Sequence, residues 1–287
     1  MSAASLVALP ATRMDRPTTR AAAPSAGADA PAVLEADRVE KTYPNGTHAL
    51  NDTSLQVRRG EFVSLLGPSG CGKSTLLKMF AGLEAPSSGR IVLHDGHDAA
   101  GRASGHRSMA MVFQEATLLP WARVADNVRL PLDLVGMSRA DSDPRIDKAL
   151  DLVGLSQFSK VYPRELSGGM QMRVSIARAL AVQPSILLMD EPFGALDEFT
   201  RNKLDSDLHQ LWEQRGFTVV FVTHSIYEAV FLSSRVVVMA ARPGRMIADV
   251  TIDAPPHRDD SYRVSQPFID NCRILSEHLA RANRGER

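Results

Sequence analysis

Residues 34–39 and 50–57 read as strands, and Pro44-Asn45-Gly46 between them has turn chemistry, so ordered structure is expected to open near Val33 on an antiparallel β layer. An apolar strand over 61–66 runs into a glycine-rich stretch, and residues 74–81 then carry apolar side chains at helical spacing. Residues 124–134 and 145–153 are helix-like and are punctuated by Pro131, Gly136 and Pro144, which predicts a helical lobe over about 115–165 inserted into the core. Strands return at 185–189 and 218–223, around a helix on which Leu204, Leu208 and Leu211 share one face. Strands alternating with helices imply a parallel sheet covered on both sides. Beyond an apolar strand at 236–239, a short β segment at 246–252 leads through Pro255-Pro256 to a terminal helix. Its apolar face is Phe268, Cys272, Leu275 and Leu279.

Composition narrows the function without naming it. With 287 residues, 44% of them hydrophobic, the chain can bury one substantial core, with residues 253–287 as a C-terminal extension. Lys+Arg and Asp+Glu balance at 33 each, so no net positive field is available to hold nucleic acid. The longest apolar runs, such as 236–241, fall far short of the roughly 20 residues a membrane-spanning helix needs. Residues 1–33, dominated by Ala, Pro, Thr and Arg, lack the apolar stretch of a secretory signal and read as a disordered tail. Two cysteines, Cys71 and Cys272, are too few for a disulfide framework and fit a reducing compartment.

The first chemistry lies at Gly67-Pro68-Ser69-Gly70-Cys71-Gly72-Lys73-Ser74, a complete phosphate-binding loop between an apolar strand and a helix. Backbone N–H groups at the start of such a helix converge on phosphate oxygens, and the glycines permit backbone angles that a side chain would obstruct. Lys73 supplies a positive charge for the β and γ phosphates, Ser74 a hydroxyl ligand for Mg²⁺, and Thr75 support at the helix start. A plain strand-to-helix turn would not need the full pattern. Cys71 reads as a small residue inside the loop rather than a nucleophile.

Residues 166–173, LSGGMQMR, resemble the signature that separates ATP-binding-cassette (ABC) ATPases from other phosphate-loop families. Ser167, Gly168 and Gly169 open a helix, so the stretch is a second anion-binding terminus and equally a simple N-cap. The resemblance implies that two subunits pair head to tail, with Ser167 and Gly169 of one closing over the γ phosphate held by Lys73 of the other. Asp190 and Glu191, at the end of an apolar strand, match the family's second nucleotide motif. Asp190 is then the residue that holds Mg²⁺ through water, and Glu191 the general base that polarises the attacking water. By the same resemblance Gln114 reaches the metal and hinges the helical lobe, His224 contacts the γ phosphate, and Ala195-Leu196-Asp197 sits at the dimer seam. Asp197 also suits a helix N-cap. Tyr43 occupies the position of the adenine-stacking aromatic, with local edge-strand packing as its plain alternative.

The likeness runs from about residue 34 to 252. It implies an α/β fold with a phosphate-loop ATPase core, an antiparallel β layer and an inserted helical lobe. ATP and Mg²⁺ are the implied cofactors, and a second copy of the chain, a transmembrane permease and, indirectly, an extracytoplasmic solute-binding protein the implied partners. The place implied is the cytoplasmic face of the cell membrane, peripherally. Leu118-Leu119-Pro120-Trp121 and the run at 240–245 further resemble the nitrate, sulfonate and taurine importer branch. Met172 stands where relatives often carry Gln. A soluble ABC ATPase acting in DNA repair or on the ribosome usually carries a long coiled-coil insertion or a second cassette, and neither is present in the sequence. A stand-alone kinase leaves LSGGM unexplained, while an exporter subunit shares every one of these motifs. Trp121 is either core filling for the lobe or an exposed anchor for the permease.

Overall fold

The computed structural model describes residues 30–94, 109–194, 196–241 and 243–284. The expectation of a disordered tail falls, over residues 1–29, outside the described residues, as do Ala195 and Arg242. Strands β1 (Ala32–Thr42) and β2 (His48–Arg58) form the expected hairpin. A third strand, β4 (Ser88–Leu93), pairs antiparallel with β1 on its other side, so the order is β2-β1-β4. Between them come β3 (Phe62–Leu66) and helix α1 (Lys73–Phe80). The second sheet adds β5 (Met109–Val112), β6 (Ile186–Asp190), β7 (Thr218–Thr223), β8 (Arg235–Ala240) and β9 (Arg245–Thr251), in the order β5-β6-β7-β3-β8-β9. All neighbours in it are parallel except β8 and β9.

The central strands are apolar on both faces because both are covered, as a parallel sheet requires. Val63, Leu65, Leu188, Val220, Val222, Val237 and Met239 point into a core shared with α1 and the antiparallel layer. The alternate positions Phe62, Leu66, Leu187, Met189, Val219, Phe221 and Val238 point into a larger core beneath the remaining helices. That period of two fixes the register, since a one-residue slip would exchange the two cores.

The lobe carries α2 (Val124–Leu134), α3 (Arg139–Leu152) and two 3-10 turns (Ser156–Phe158 and Pro163–Glu165), and α2 and α3 pack against α4 (Gly168–Ala181), which follows it. Helix α2 keeps its expected bounds, but Pro144 does not precede the second helix as the sequence suggested. Pro131 lies inside α2 and Pro144 inside α3, which starts six residues ahead of its expected first residue, Arg145. Each proline removes one backbone donor and strains its turn. Buried Val128 and Leu132 in α2, and Ile146 and Leu150 in α3, hold the helices through the interruption. After β6, α5 (Glu198–Arg215) precedes β7, and α6 (Ile226–Leu232) follows it. The extension adds α7 (Asp260–Arg263) and α8 (Gln266–Arg284), which folds back onto α6 and β8. Phe268 and Leu275 on α8 are buried, and Cys272 and Leu279 pack beside them. Arg258, just ahead of α7, donates to the carbonyls of Val230, Phe231 and Ser233, closing the C-terminal end of α6. No helix among the described residues is long and apolar enough to cross a membrane.

Candidate functional site

Parallel register gathers the sequence-predicted residues at one edge of the larger sheet. Leu66 pairs with Thr223, Asp190 with Val222, and Val112 with Met189. The residues that follow these strand ends, the Gly67 loop, Glu191, His224 and Gln114, therefore leave the sheet side by side. Ligands of open α/β sheets bind at this carboxyl edge.

Within the loop, Gly70 and Gly72 have φ of 75° and 89°, the left-handed region that glycine adopts without strain. Gly72 is the N-cap of α1, and a Cβ there would stand 2.5 Å from Leu50 Cδ2 and 2.8 Å from the Ala49 carbonyl oxygen. Gly67 departs from the expectation of an unusual backbone angle. Its requirement is close approach, since a Cβ would stand 2.5 Å from the Met239 carbonyl oxygen and 2.7 Å from Cys71 Sγ. Pro68 and Ser69 complete the loop, and Cys71 is fully buried. Burial pushes the Cys71 thiol up, against the pull of the Lys73 charge, which keeps it a thiol rather than a nucleophile.

Lys73 is 4% exposed and donates from Nζ to the carbonyls of Gly67 at 2.8 Å and Pro68 at 3.0 Å. Its Nζ also lies 3.7 Å from Glu191 Oε1. The Ser74 hydroxyl donates to Asp190 Oδ1 at 2.7 Å, so two hard oxygen donors from separate motifs converge. Burial raises the Asp190 carboxyl above its ordinary range; Ser74 opposes this and the neighbouring Glu191 charge adds to it. Among the described residues no group of three or more His, Cys, Asp or Glu could hold a metal. The Ser74 and Asp190 pair nevertheless fits Mg²⁺, which takes few protein oxygens and completes its shell with phosphate and water.

Glu191 has φ of 43°, a left-handed conformation that costs a non-glycine residue about 1–2 kcal/mol. Its N–H bonds to the Val222 carbonyl at 3.0 Å and its carbonyl accepts from Gly194 N–H at 3.2 Å, and these bonds hold the turn. The strain aims Glu191 Oε2 at His224 Nδ1, 3.1 Å away, and Oε1 at Lys73. Strain of this kind concentrates at functional sites.

Tyr43 follows β1 and its hydroxyl sits 3.3 Å from Thr75 Oγ1. Lys41 carries no motif of its own, yet its Nζ lies 5.2 Å from the centre of the Tyr43 ring and pairs with Glu84 at 2.8 Å. Gln114 is exposed. Ser167 caps α4, its Oγ accepting from Met170 N–H at 3.3 Å, and Ser167 and Gly168 are exposed. Gly169 stands against Leu196 and Thr200, where a Cβ would come within 3.3 Å of each. Asp197 caps α5 through Thr200 N–H at 3.0 Å, and this bond holds its carboxyl below the usual range. Trp121 is 74% exposed, so it is not core filling, whereas Leu118 packs against the core.

The phosphate-loop strand, helix and acidic strand end agree with a family model described as ABC transporter, which matches residues 50–194. The chain belongs to the ABC transporter ATP-binding family. An ABC transporter ATP-binding protein of Methanocaldococcus jannaschii is 46% identical over 79% of this chain and 82% of its own length. A taurine import ATP-binding protein of Roseobacter denitrificans is 46% identical over 74% of this chain and 81% of its own. A nitrate import ATP-binding protein of Synechococcus elongatus is 42% identical over 88% of this chain and 39% of its own. Among solved structures, a dimeric ATP-binding cassette in a post-hydrolysis state with ADP and Pi superposes with a TM-score of 0.67 at 35% identity, covering 77% of this chain and all of that one. The Clostridium perfringens cassette of the cbiONQ transporter complex gives 0.68 at 28% identity, covering 85% of this chain and 99% of that one. The chain is thus an ABC-type ATPase that binds and hydrolyses ATP, with the cassette fold that its sequence implied.

Proposed function

We propose that this chain is the ATPase subunit of an importer, working as a head-to-tail dimer in which each ATP is sandwiched between two copies. The observation that carries this reading is that two helix starts of the anion-binding kind stand among different residues. Gly72 opens α1 beside Asp190 and Glu191, while exposed Ser167 opens α4 beside Leu196. A second copy supplies the missing half of each site.

In that arrangement the loop from Gly67 to Thr75 cradles the phosphates, Lys73 leaves the Gly67 and Pro68 carbonyls for the β and γ phosphates, and Tyr43 stacks on adenine. Ser74, Asp190 and Gln114 would hold Mg²⁺, which neutralises phosphate charge when bound. Glu191 accepts the proton of the attacking water, and His224, hydrogen-bonded to it, is positioned at the γ phosphate. The cassette occupies residues 34–252 with its lobe at about 115–165, and 253–287 form an extension.

Docking of a separate permease is supported by a groove of about 660 Å³ lined by Phe113, Thr117, Leu130, Leu134, Val135 and Met137. Leu134 and Val135 are largely exposed, and so is Trp121 on the segment between Gln114 and α2. Apolar surface of this kind marks partner sites. The relatives named for taurine and nitrate import support a small solute such as nitrate, a sulfonate or taurine as cargo. By the family resemblance that solute is delivered by an extracytoplasmic binding protein, with this subunit at the cytoplasmic face of the membrane. The test is complementation between inactive chains. Ser167→Arg spoils the signature and Lys73→Ala the phosphate loop, so a mixture contains heterodimers with one intact composite site. ATPase should reappear on mixing; persistent inactivity, with heterodimers present, refutes the sandwich.

A further inference from the structure

Behind His224, polar side chains form a continuous path to the segment that precedes α5. Thr223, the last residue of β7, donates its hydroxyl to Glu228 Oε2 in a short hydrogen bond, and its Oγ1 accepts the Ser225 N–H at 2.9 Å. Both bonds belong to the turn that carries His224. Glu228 lies in the first turn of α6 and is 5% exposed. Its Oε1 faces Arg201 Nε on α5 at 3.4 Å. The same guanidinium donates from Nη2 to the Leu196 carbonyl at 2.9 Å. Leu196 is the residue against which Gly169 stands.

Charge placed here is not the cheapest way to pack α5 on α6. Burial raises the Glu228 carboxyl, with the Thr223 hydrogen bond and the Arg201 charge pulling it back. A buried ion pair often returns no more than its desolvation cost, so an apolar pair would serve packing as well. Geometry is what the polar groups add. Arg201 Nε has no hydrogen-bond partner among the described residues, so the pair stands at ion-pair distance with a donor still to be engaged. A small shift of α5 against α6 would tighten it and pull on Thr223.

We propose that Arg201 and Glu228 are positioning residues that transmit the placement of the Leu196 segment through Thr223 to His224, setting its imidazole against Glu191. This rests on the catalytic reading of Glu191 and His224 given above. When a second copy presses on the Leu196 segment, Arg201 carries that displacement to Glu228, and hydrolysis is timed to dimer closure.

The test measures kcat, KM for ATP and thermal midpoint in the full chain for Arg201→Met, Glu228→Gln, the double variant and Arg201→Lys. Each single variant should lower kcat about tenfold with KM within twofold. The double variant should be no slower than the worse single one, because both break one path. Arg201→Lys, whose single ammonium reaches either Glu228 or the Leu196 carbonyl, should fall between wild type and Met. Thr223→Val breaks the path at its other end and should reproduce the kcat loss even if the α5 variants fold poorly. Wild-type kcat in these variants, or losses that multiply in the double variant, would overturn the proposal. Glu191→Gln run alongside separates the two levels. If it is inactive while the Arg201 and Glu228 variants turn over normally, only the path fails; if it is active, the catalytic reading itself fails.

Discussion

Lowering the pH from 7 to 5 should cost the folded chain about 2 kcal/mol through His209 alone. His209 lies on α5, 1% exposed, with ring centres of Trp212 and Phe231 at 5.4 and 6.0 Å. Neither ring nitrogen has a hydrogen-bond partner among the described residues. Burial, with the nearby charges of Arg258 and His257, depresses its pKa from 6.5 to about 3. The neutral ring is therefore the native form, and the sign follows from which state binds the proton. Below pH 6.5 the unfolded chain takes up a proton that the folded chain refuses, so stability falls continuously until the pH reaches about 3. At pH 5 the unfolded state gains RT times the logarithm of about 30, which is about 2 kcal/mol, against almost nothing at pH 7. Urea unfolding of wild type and His209→Leu across this range isolates the residue, because the other titrating groups cancel in the difference. The difference should change by about 2 kcal/mol between pH 7 and 5. A difference that stays flat would show that the native ring takes up its proton as readily as the unfolded one, and would refute the reasoning.

Two further outcomes test the site and its surroundings. Gly67→Ala drives a methyl group into the Met239 carbonyl, so nucleotide titration should show lost binding and denaturant unfolding a loss of about 1–3 kcal/mol. Trp121→Ala removes an exposed ring, so stability should stay within about 0.5 kcal/mol of wild type while co-purification of the permease falls.

The nucleotide motifs were legible because each is contiguous and sits at a strand-to-loop junction that hydrophobic patterning marks. Strand β6 ends at Asp190 and β7 at Thr223, so the continuous apolar runs marked the strand ends, while the resemblance to the family gave Glu191 and His224 their roles. Strand β4 escaped notice because its residues are mostly exposed and carry no apolar alternation, and β5 is only four residues long. Pro144 misled because local propensity yields to tertiary packing, here that of α3 on α4. Arg201 and Glu228 left no signal at all, since each reads as an ordinary helix charge and only the fold brings α5 against α6. Gly67 was singled out for its backbone angle, yet what excludes a side chain there is the carbonyl of distant Met239.

The central claim, hydrolysis at a composite site formed by two copies, is tested most directly by sedimentation of Glu191→Gln with and without ATP and Mg²⁺. The amide keeps the shape of Glu191 but cannot accept a proton from water, so ATP should bind, remain intact and hold the chain as a dimer. The account predicts a monomer without nucleotide and a stable dimer with it, alongside ATPase reduced at least a hundredfold. A chain that stays monomeric with ATP while its turnover is unchanged would contradict the account.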